Sequence, residues 1–291
     1  MVNEEIMDVV IGRTVGFCSG VQRAIQGVQE RLGERRGLYC LGEFIHNPEV
    51  IESLEGLGMI VVQDIDAIPD RGGIIIRTHG LPRETLKRAR EKNLETFDFT
   101  CPRVKKTHHL VTRLTDEGYH IAIIGNPAHP EVRALHSLVR EHARIIEKPG
   151  EVEALKLKEP VAVVVQTTFN PEIFNRILIE IVTRLKRTLV CNTLCEETIR
   201  RQREAIALAR EVDFMVVVGG RNSSNTRTLF KRVQELVSAV HIEKAKELEP
   251  EWFREARRVG IVSGASTPVD EVRRVHEYLL RLPDQGALKE R

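Results

Sequence analysis

Three short apolar runs of one shape recur at wide intervals: LYCLG ending at Gly42, IAIIG ending at Gly125, and VVVGG, whose first glycine is Gly219. Each opens into a polar loop and then a helix-patterned stretch: HNPEVIESL, NPAHPEVRALHSL and RNSSNTRTLFKRV. A second set behaves alike in GIIIRTHGLPRETLKRA, VAVVVQTTFNPEIFNRIL and VGIVSGASTPVDEVRRV. Here Pro82, Pro171 and Pro268 suit the first turn of a helix, where a missing N–H costs nothing. A third set, VGFCSGVQRAI, FDFTCPRVKKTHHLV and VCNTLCEETIRRQ, puts a cysteine between a strand and a basic helical stretch. Alternating elements of these lengths predict βα units, and hence a parallel sheet in each third of an α/β protein.

The thirds are linked by one interval. His46 follows Cys18, His129 follows Cys101 and Ser223 follows Cys195 by 28 positions each (18 to 46, 101 to 129, 195 to 223). Any α/β chain alternates strands and helices, but alternation alone does not repeat a cysteine-to-loop spacing three times. Fixed-period self-similarity points to one structural unit used three times. The expected lobes are 18–100, 101–190 and 191–282 with 1–17, followed by a polar tail at 283–291. If the thirds pack around a common axis, Cys18, Cys101 and Cys195 converge. Three thiolates lacking a fourth protein ligand form a metal site where chemistry can occur.

All three cysteines stand at expected helix starts, where the helix dipole favours thiolate. Cys40 falls inside LYCLG and reads as a small buried hydrophobe. Cys191, in the LVC run, reads as strand core, although a pair with Cys195 four residues on is conceivable. Zinc accepts three cysteines and a histidine, but structural zinc ligands usually come in short knuckles. The wide separations here suit an iron–sulfur cluster gripped between lobes.

The polar loops supply further chemistry. His46 and His129 stand just ahead of expected helices, Ser223, Ser224 and Asn225 open another, and His79, Thr167, Thr168 and Ser266 lie in the second set of loops. Helix N-termini present unsatisfied N–H groups, so these loops can surround a phosphate-bearing ligand. Taken singly, Ser223, Ser266 and Thr168 fit ordinary helix caps. Histidine is a poor cap but a good phosphate donor and proton carrier. Glu131, two residues past His129, is a candidate proton donor; a first-turn carboxylate favourable to the helix dipole is the plainer account. His108, His109, His120, His136, His142, His241 and His276 are assigned no function.

Composition narrows the classes. The 291 residues allow two or three modules, and 42% hydrophobic with 30% charged residues fits globular cores. With 44 Lys+Arg against 42 Asp+Glu, nothing marks a nucleic-acid binder. No signal-peptide pattern or membrane-length apolar run is present, and five cysteines, an odd number with no paired framework, suit a reducing cytoplasm. Neither a G-x-G-x-x-G nor a Walker loop occurs.

GFCSGVQRAI, HNPEV, HGLP, FDFTCPRVKKTH, HPEV, QTT, GRNSSN and SGASTP, in this order, resemble the hydroxymethylbutenyl diphosphate reductases of the LytB type. The resemblance runs from about Val10 to about Leu282. It implies a trefoil of three α/β lobes around one 4Fe–4S cluster with three cysteine ligands and one open iron. It also implies reductive dehydroxylation of 4-hydroxy-3-methylbut-2-enyl diphosphate to isopentenyl and dimethylallyl diphosphates, the end of the non-mevalonate route, with ferredoxin or flavodoxin as electron donor. Carried over, Cys18, Cys101 and Cys195 match the cluster ligands; His46, His79, His129, Ser223, Ser224, Asn225 and Ser266 match the diphosphate set. Glu131 matches the proton source, and Thr167 its hydroxyl partner near the substrate alcohol.

Two stretches depart from the family pattern. Glu196 and Glu197 follow the third cysteine; two carboxylates there either lower the potential of the cluster or face solvent, and facing solvent is the expectation; Asn126-Pro127-Ala128 replaces a glycine-rich approach to His129 and should stiffen it. Quinolinate synthase is similar in design, but its motifs are absent. A non-catalytic iron–sulfur sensor has no use for Glu131 and Thr167.

Overall fold

The computed structural model describes residues 7–155 and 157–282. In chain order its elements are β1 (Asp8–Ile11), α1 (Ser19–Glu34), β2 (Leu38–Leu41), α2 (Pro48–Gly56), β3 (Met59–Val62), β4 (Gly73–Ile76), α3 (Arg83–Glu91), β5 (Glu95–Asp98), α4 (Pro102–Asp116), β6 (His120–Ile124), α5 (Pro130–Val139), β7 (Ala143–Ile146), β8 (Val161–Val165), α6 (Pro171–Arg184), β9 (Thr188–Val190), α7 (Glu196–Ala209), β10 (Phe214–Val218), α8 (Ser224–Gln234), β11 (Ser238–Ile242), β12 (Arg258–Ser263) and α9 (Val269–Leu280). The expected polar tail at 283–291 lies outside the described residues.

The strands form three four-stranded sheets in which every pairing is parallel. Read from the strand that leads to a cysteine, their orders are β1-β12-β10-β11, β5-β4-β2-β3 and β9-β8-β6-β7. Each sheet therefore runs through the same connection pattern, and the α/β class with one parallel sheet per third is as the sequence predicts. As proposed lobes, 18–100, 101–190 and 191–282 with 1–17 each enclose the strands of one sheet.

The described chain gathers into two compact units. One comprises the residues up to Cys18, His46–Pro48 and the chain from Glu196 onward, with the sheet β1-β12-β10-β11. The other comprises Ser19–Ile45 and Glu49–Cys195, with the remaining two sheets.

The central strands are buried on both faces, which is why they read as continuous apolar runs rather than alternating ones. In β6, Ile121 and Ile123 pack with Val111, Leu114 and Leu135 on one face. Ala122 and Ile124 pack with Val163, Phe174 and Ile177 on the other. In the first unit β10 divides likewise, Met215 and Val217 against Leu208 and Leu229, Val216 and Val218 against Phe253 and Val275. Truncating a fully buried side chain such as Ile123 to alanine should cost about 2–5 kcal/mol. The apolar runs thus fix the strands rigidly and leave chemistry to the loops beyond them.

The prolines sit at helix openings, two of them a step earlier than expected. Pro171 is the first residue of α6, behind Asn170, whose side chain accepts from the Glu172 N–H at 2.8 Å. Pro82 and Pro268 are the caps before α3 and α9, where their fixed φ is equally compatible and no N–H is required. Among the described residues no helix is long and apolar enough to cross a membrane.

Candidate active site

Cys18, Cys101 and Cys195 each stand one residue before a helix: α1, α4 and α7. Their backbone N–H groups are held alike. Cys18 donates to the Ala265 carbonyl at 2.9 Å, Cys101 to Thr78 at 3.0 Å and Cys195 to Thr167 at 2.9 Å. The acceptors lie in the loops just past β12, β4 and β8, the neighbours of the cysteine-bearing strands β1, β5 and β9. Parallel pairing therefore continues past the strand ends and sets each cysteine beside a second polar loop. The repeated interval has the same origin, since a helix and a strand separate each cysteine from its next polar loop.

The other two cysteines differ. Cys40 is fully buried in β2, and burial pushes its thiol up to about 12. Cys191 is not strand core: β9 stops at Val190, and Cys191 packs only partly buried against the β6 core from the sheet edge. Burial raises its thiol too. Burial thus favours the neutral thiol at both positions.

In the second unit, β6 and β8 aim their following loops at one place. Glu131 lies in the first turn of α5 yet is only 1% exposed, which rules out a merely solvent-facing dipole partner. Thr167 holds both of its oxygens, the amide N–H donating to Oε1 at 2.8 Å and the hydroxyl to Oε2 at 2.7 Å. Burial outweighs these two bonds and pushes the carboxyl up to about 7. The Glu131 N–H donates to Nδ1 of His129 at 3.3 Å, which leaves the ring proton on Nε2 when the imidazole is neutral. His79 meets the His129 ring edge to face, centroids 5.2 Å apart. His79 is itself aimed by the Thr78–Gly80 turn. Gly80 has φ +77, and a Cβ there would sit 2.7 Å from His108 Cε1.

The Asn126 loop is tied down as its sequence suggests. Asn126 Oδ1 accepts from the Ala128 N–H at 2.8 Å, and its N–H donates to Gln166 Oε1 at 3.0 Å. The Gln166 amide also donates to Thr168 Oγ1 at 2.9 Å, so one buried side chain braces the loops carrying both His129 and Thr167.

The first unit holds the other expected residues. Ser223 does cap α8, accepting from the Thr226 N–H at 3.3 Å. Ser224, partly buried, begins that helix. Asn225 is 5% exposed, and neither its Oδ1 nor its Nδ2 has a partner among the described residues. Ser266 is not a cap, because Pro268 takes that place in α9; its Oγ is buried and likewise without a partner among the described residues. His46 approaches this loop through its backbone, and a Cβ on Gly220 would collide with its carbonyl. Buried polar groups normally have partners. An amide and a hydroxyl left over beside a helix N-terminus suit a phosphate-bearing ligand.

Some supporting residues carry no sequence signal. His241, on β11, bonds the Gly219 carbonyl at 2.8 Å and steadies the loop ahead of Ser223. Glu197 does not face solvent: its side chain is 16% exposed and turned toward Arg201, whereas Glu196 is exposed.

Similarity to known proteins bears on this geometry. Residues 9–280 match the LytB protein family. The chain belongs to the LytB family. It is 42% identical over 269 residues to the 4-hydroxy-3-methylbut-2-enyl diphosphate reductase of Aquifex aeolicus, covering 90% of this chain and 92% of that one. The reductase of that name from Geobacter sulfurreducens is 40% identical, with 94% and 98% covered. Among solved structures, that of (E)-4-hydroxy-3-methyl-but-2-enyl diphosphate reductase, the terminal enzyme of the non-mevalonate pathway, is 40% identical, with a TM-score of 0.69 and 94% and 99% covered. The Plasmodium falciparum E-1-hydroxy-2-methyl-but-2-enyl-4-diphosphate reductase is 28% identical, with a TM-score of 0.91 and 96% and 90% covered. Membership of the LytB family implies an iron–sulfur cluster.

Proposed function

We propose a division of labour in this chain: a carboxylic acid held for proton delivery, a polar set for the diphosphate, and three cysteines for the cluster. The chain is an oxidoreductase that reduces 4-hydroxy-3-methylbut-2-enyl diphosphate, the terminal step of the non-mevalonate pathway. Removing the hydroxyl consumes two electrons and two protons; the C–O bond breaks, water leaves, and isopentenyl and dimethylallyl diphosphates are the products.

Cys18, Cys101 and Cys195 are the proposed ligands of one 4Fe–4S cluster, with one iron left open. Their equivalent positions ahead of three helices support this, as does the packing of Cys40 inside β2 and of Cys191 against the β6 core. When bound, the cluster supplies electrons and a Lewis-acid iron for the alcohol oxygen.

The observation that carries the residue assignment is the Glu131–Thr167 pair. A carboxyl titrating near 7 keeps its proton in a substantial fraction of molecules at neutral pH and can release it to a departing hydroxyl. Thr167 fixes the orientation of that acid. His46, His79, His129, Ser223, Ser224, Asn225 and Ser266 bind the diphosphate; the unpartnered groups of Asn225 and Ser266 support that role. Fixed donors of this kind anchor the anionic tail without reorganising during the reaction.

Ferredoxin or flavodoxin is the proposed electron donor, and the cytoplasm the proposed location, supported by the five free cysteines. Anaerobic purification with iron and sulfide analysis, followed by turnover with a dye reductant, tests the whole. We expect about four irons per chain and both products; a zinc-loaded protein without reductase activity would refute the assignment.

A further inference from the structure

We propose that Thr226 is a positioning residue for the diphosphate groups of the first unit: it wedges between the turns after β10 and β12 and sets how Ser223, Asn225 and Ser266 stand to one another. The inference rests on the reading of those three residues as part of the diphosphate set.

Thr226 lies in the first turn of α8 and is fully buried. Its N–H donates to Ser223 Oγ at 3.3 Å, so it orients that hydroxyl directly. Its own Oγ1 is buried and has no hydrogen-bond partner among the described residues. Two glycines face this oxygen instead. A Cβ on Gly264, just past β12, would collide with it. A Cβ on Gly219, just past β10, would sit 2.9 Å from it and 3.1 Å from Cγ2. An oxygen standing where a glycine Cβ would be lies along a Cα–H bond, the arrangement of a weak Cα–H···O contact. Gly219 has φ +147, a conformation that favours glycine by itself. Gly264 lies outside the left-handed region, so it is Thr226 that requires its missing side chain.

The two turns are also tied at their base. The carbonyl of Val218, the last residue of β10, accepts from the Gly264 N–H at 2.9 Å and from Thr267 Oγ1 at 3.0 Å. Those bonds fix the strand ends, and the Thr226 oxygen fixes how closely α8 approaches them. Asn225 is the neighbour of Thr226 and Ser266 lies two residues past Gly264, so both follow this spacing. The size of the oxygen is what matters. A methyl in its place is larger than the gap between the two glycines, and overpacking displaces the surroundings. Thr226 itself is sealed off and acts through these neighbours.

The test is calorimetric titration of substrate into the oxidised, cluster-loaded enzyme, alongside turnover with a dye reductant and thermal unfolding. Thr226→Val exchanges the oxygen for a methyl and should weaken substrate binding roughly tenfold and raise KM, with kcat within about twofold of the parent. Thr226→Ser keeps the oxygen and should bind as the parent does. Gly264→Ala should weaken binding like Thr226→Val, and adding Thr226→Ala, which vacates the space for the new methyl, should recover most of the loss. A purely structural role would lower the melting temperature and leave affinity unchanged. Parent affinity in Thr226→Val, or losses that simply add in the double variant, overturns the inference; if Thr226→Val does not fold, Gly264→Ala and its double variant decide. Ser266→Ala separates the two levels. Parent affinity there refutes the reading of the diphosphate set, whereas weakened binding there with parent affinity in Thr226→Val and Gly264→Ala refutes only the role of Thr226.

Discussion

Thr167 occupies both oxygens of Glu131, its amide and its hydroxyl donating at 2.8 and 2.7 Å to a carboxyl that is 1% exposed. The same residue gives its carbonyl to the Cys195 N–H. Thr167 therefore joins the acid to a proposed cluster ligand by a single residue, and small changes there should be felt by both.

Burial of Glu131 has a consequence for stability. Its carboxyl is raised from an ordinary 4.5 to about 7, so the folded state prefers the proton. Its favourable contribution is complete below about pH 4.5 and is lost as pH rises through about 7. Glu131→Gln should thus melt progressively higher than the parent between those values and keep a constant advantage above them. Thermal unfolding at pH 5 and pH 8 checks this; an equal difference at both would mean that the carboxyl is not perturbed.

Asn225 and Ser266 should behave as binding groups that burden the fold. Removing an unpartnered buried polar atom is close to neutral or stabilising, whereas a hydrogen bond to a charged ligand is worth about 1.5–3 kcal/mol. Asn225→Ala and Ser266→Ala should keep or raise the melting temperature and weaken substrate binding roughly ten- to a hundredfold. A destabilised variant with unchanged affinity would make these groups structural.

The imidazoles should divide from the cysteines in the same way. A His46→Ala, His79→Ala double variant should lose substrate affinity while its iron and sulfide stay near the parent level. Undiminished affinity by direct titration would remove both from the diphosphate set.

Single Ser replacements should abolish the brown chromophore at Cys18, Cys101 and Cys195, and spare it at Cys40 and Cys191. Loss at Cys191 with retention at Cys195 would reverse the assignment of the third ligand.

The repeated sheets were legible because a parallel sheet buried on both faces writes its strands as unbroken apolar runs, as at VAVVV and IAIIG. The cysteine and loop positions were legible because each sits at a strand or helix end, where local spacing sets geometry. Arg201 and Gln166 were not. Arg201 meets Thr14 across 187 residues and Gln166 meets Asn126 across 40, contacts that exist only after folding. Glu197 was misjudged for the same reason: a charged residue in a first turn reads as solvated until a buried arginine is found one turn away. Cys191 was misplaced because an apolar run does not mark where an edge strand stops.

The proton source is the centre of this account, and turnover of Glu131→Gln tests it most directly. Glutamine keeps the shape and much of the hydrogen bonding but has no acid to give. Under anaerobic conditions, with a dye reductant and both isoprenoid diphosphates followed, its rate should fall roughly a hundred- to ten-thousandfold. Cluster content and substrate affinity should remain, and Thr167→Val should show a milder form of the same defect. A Glu131→Gln enzyme that turns over at the parent rate would contradict the account, leaving Glu131 a buried structural acid and the proton to another donor.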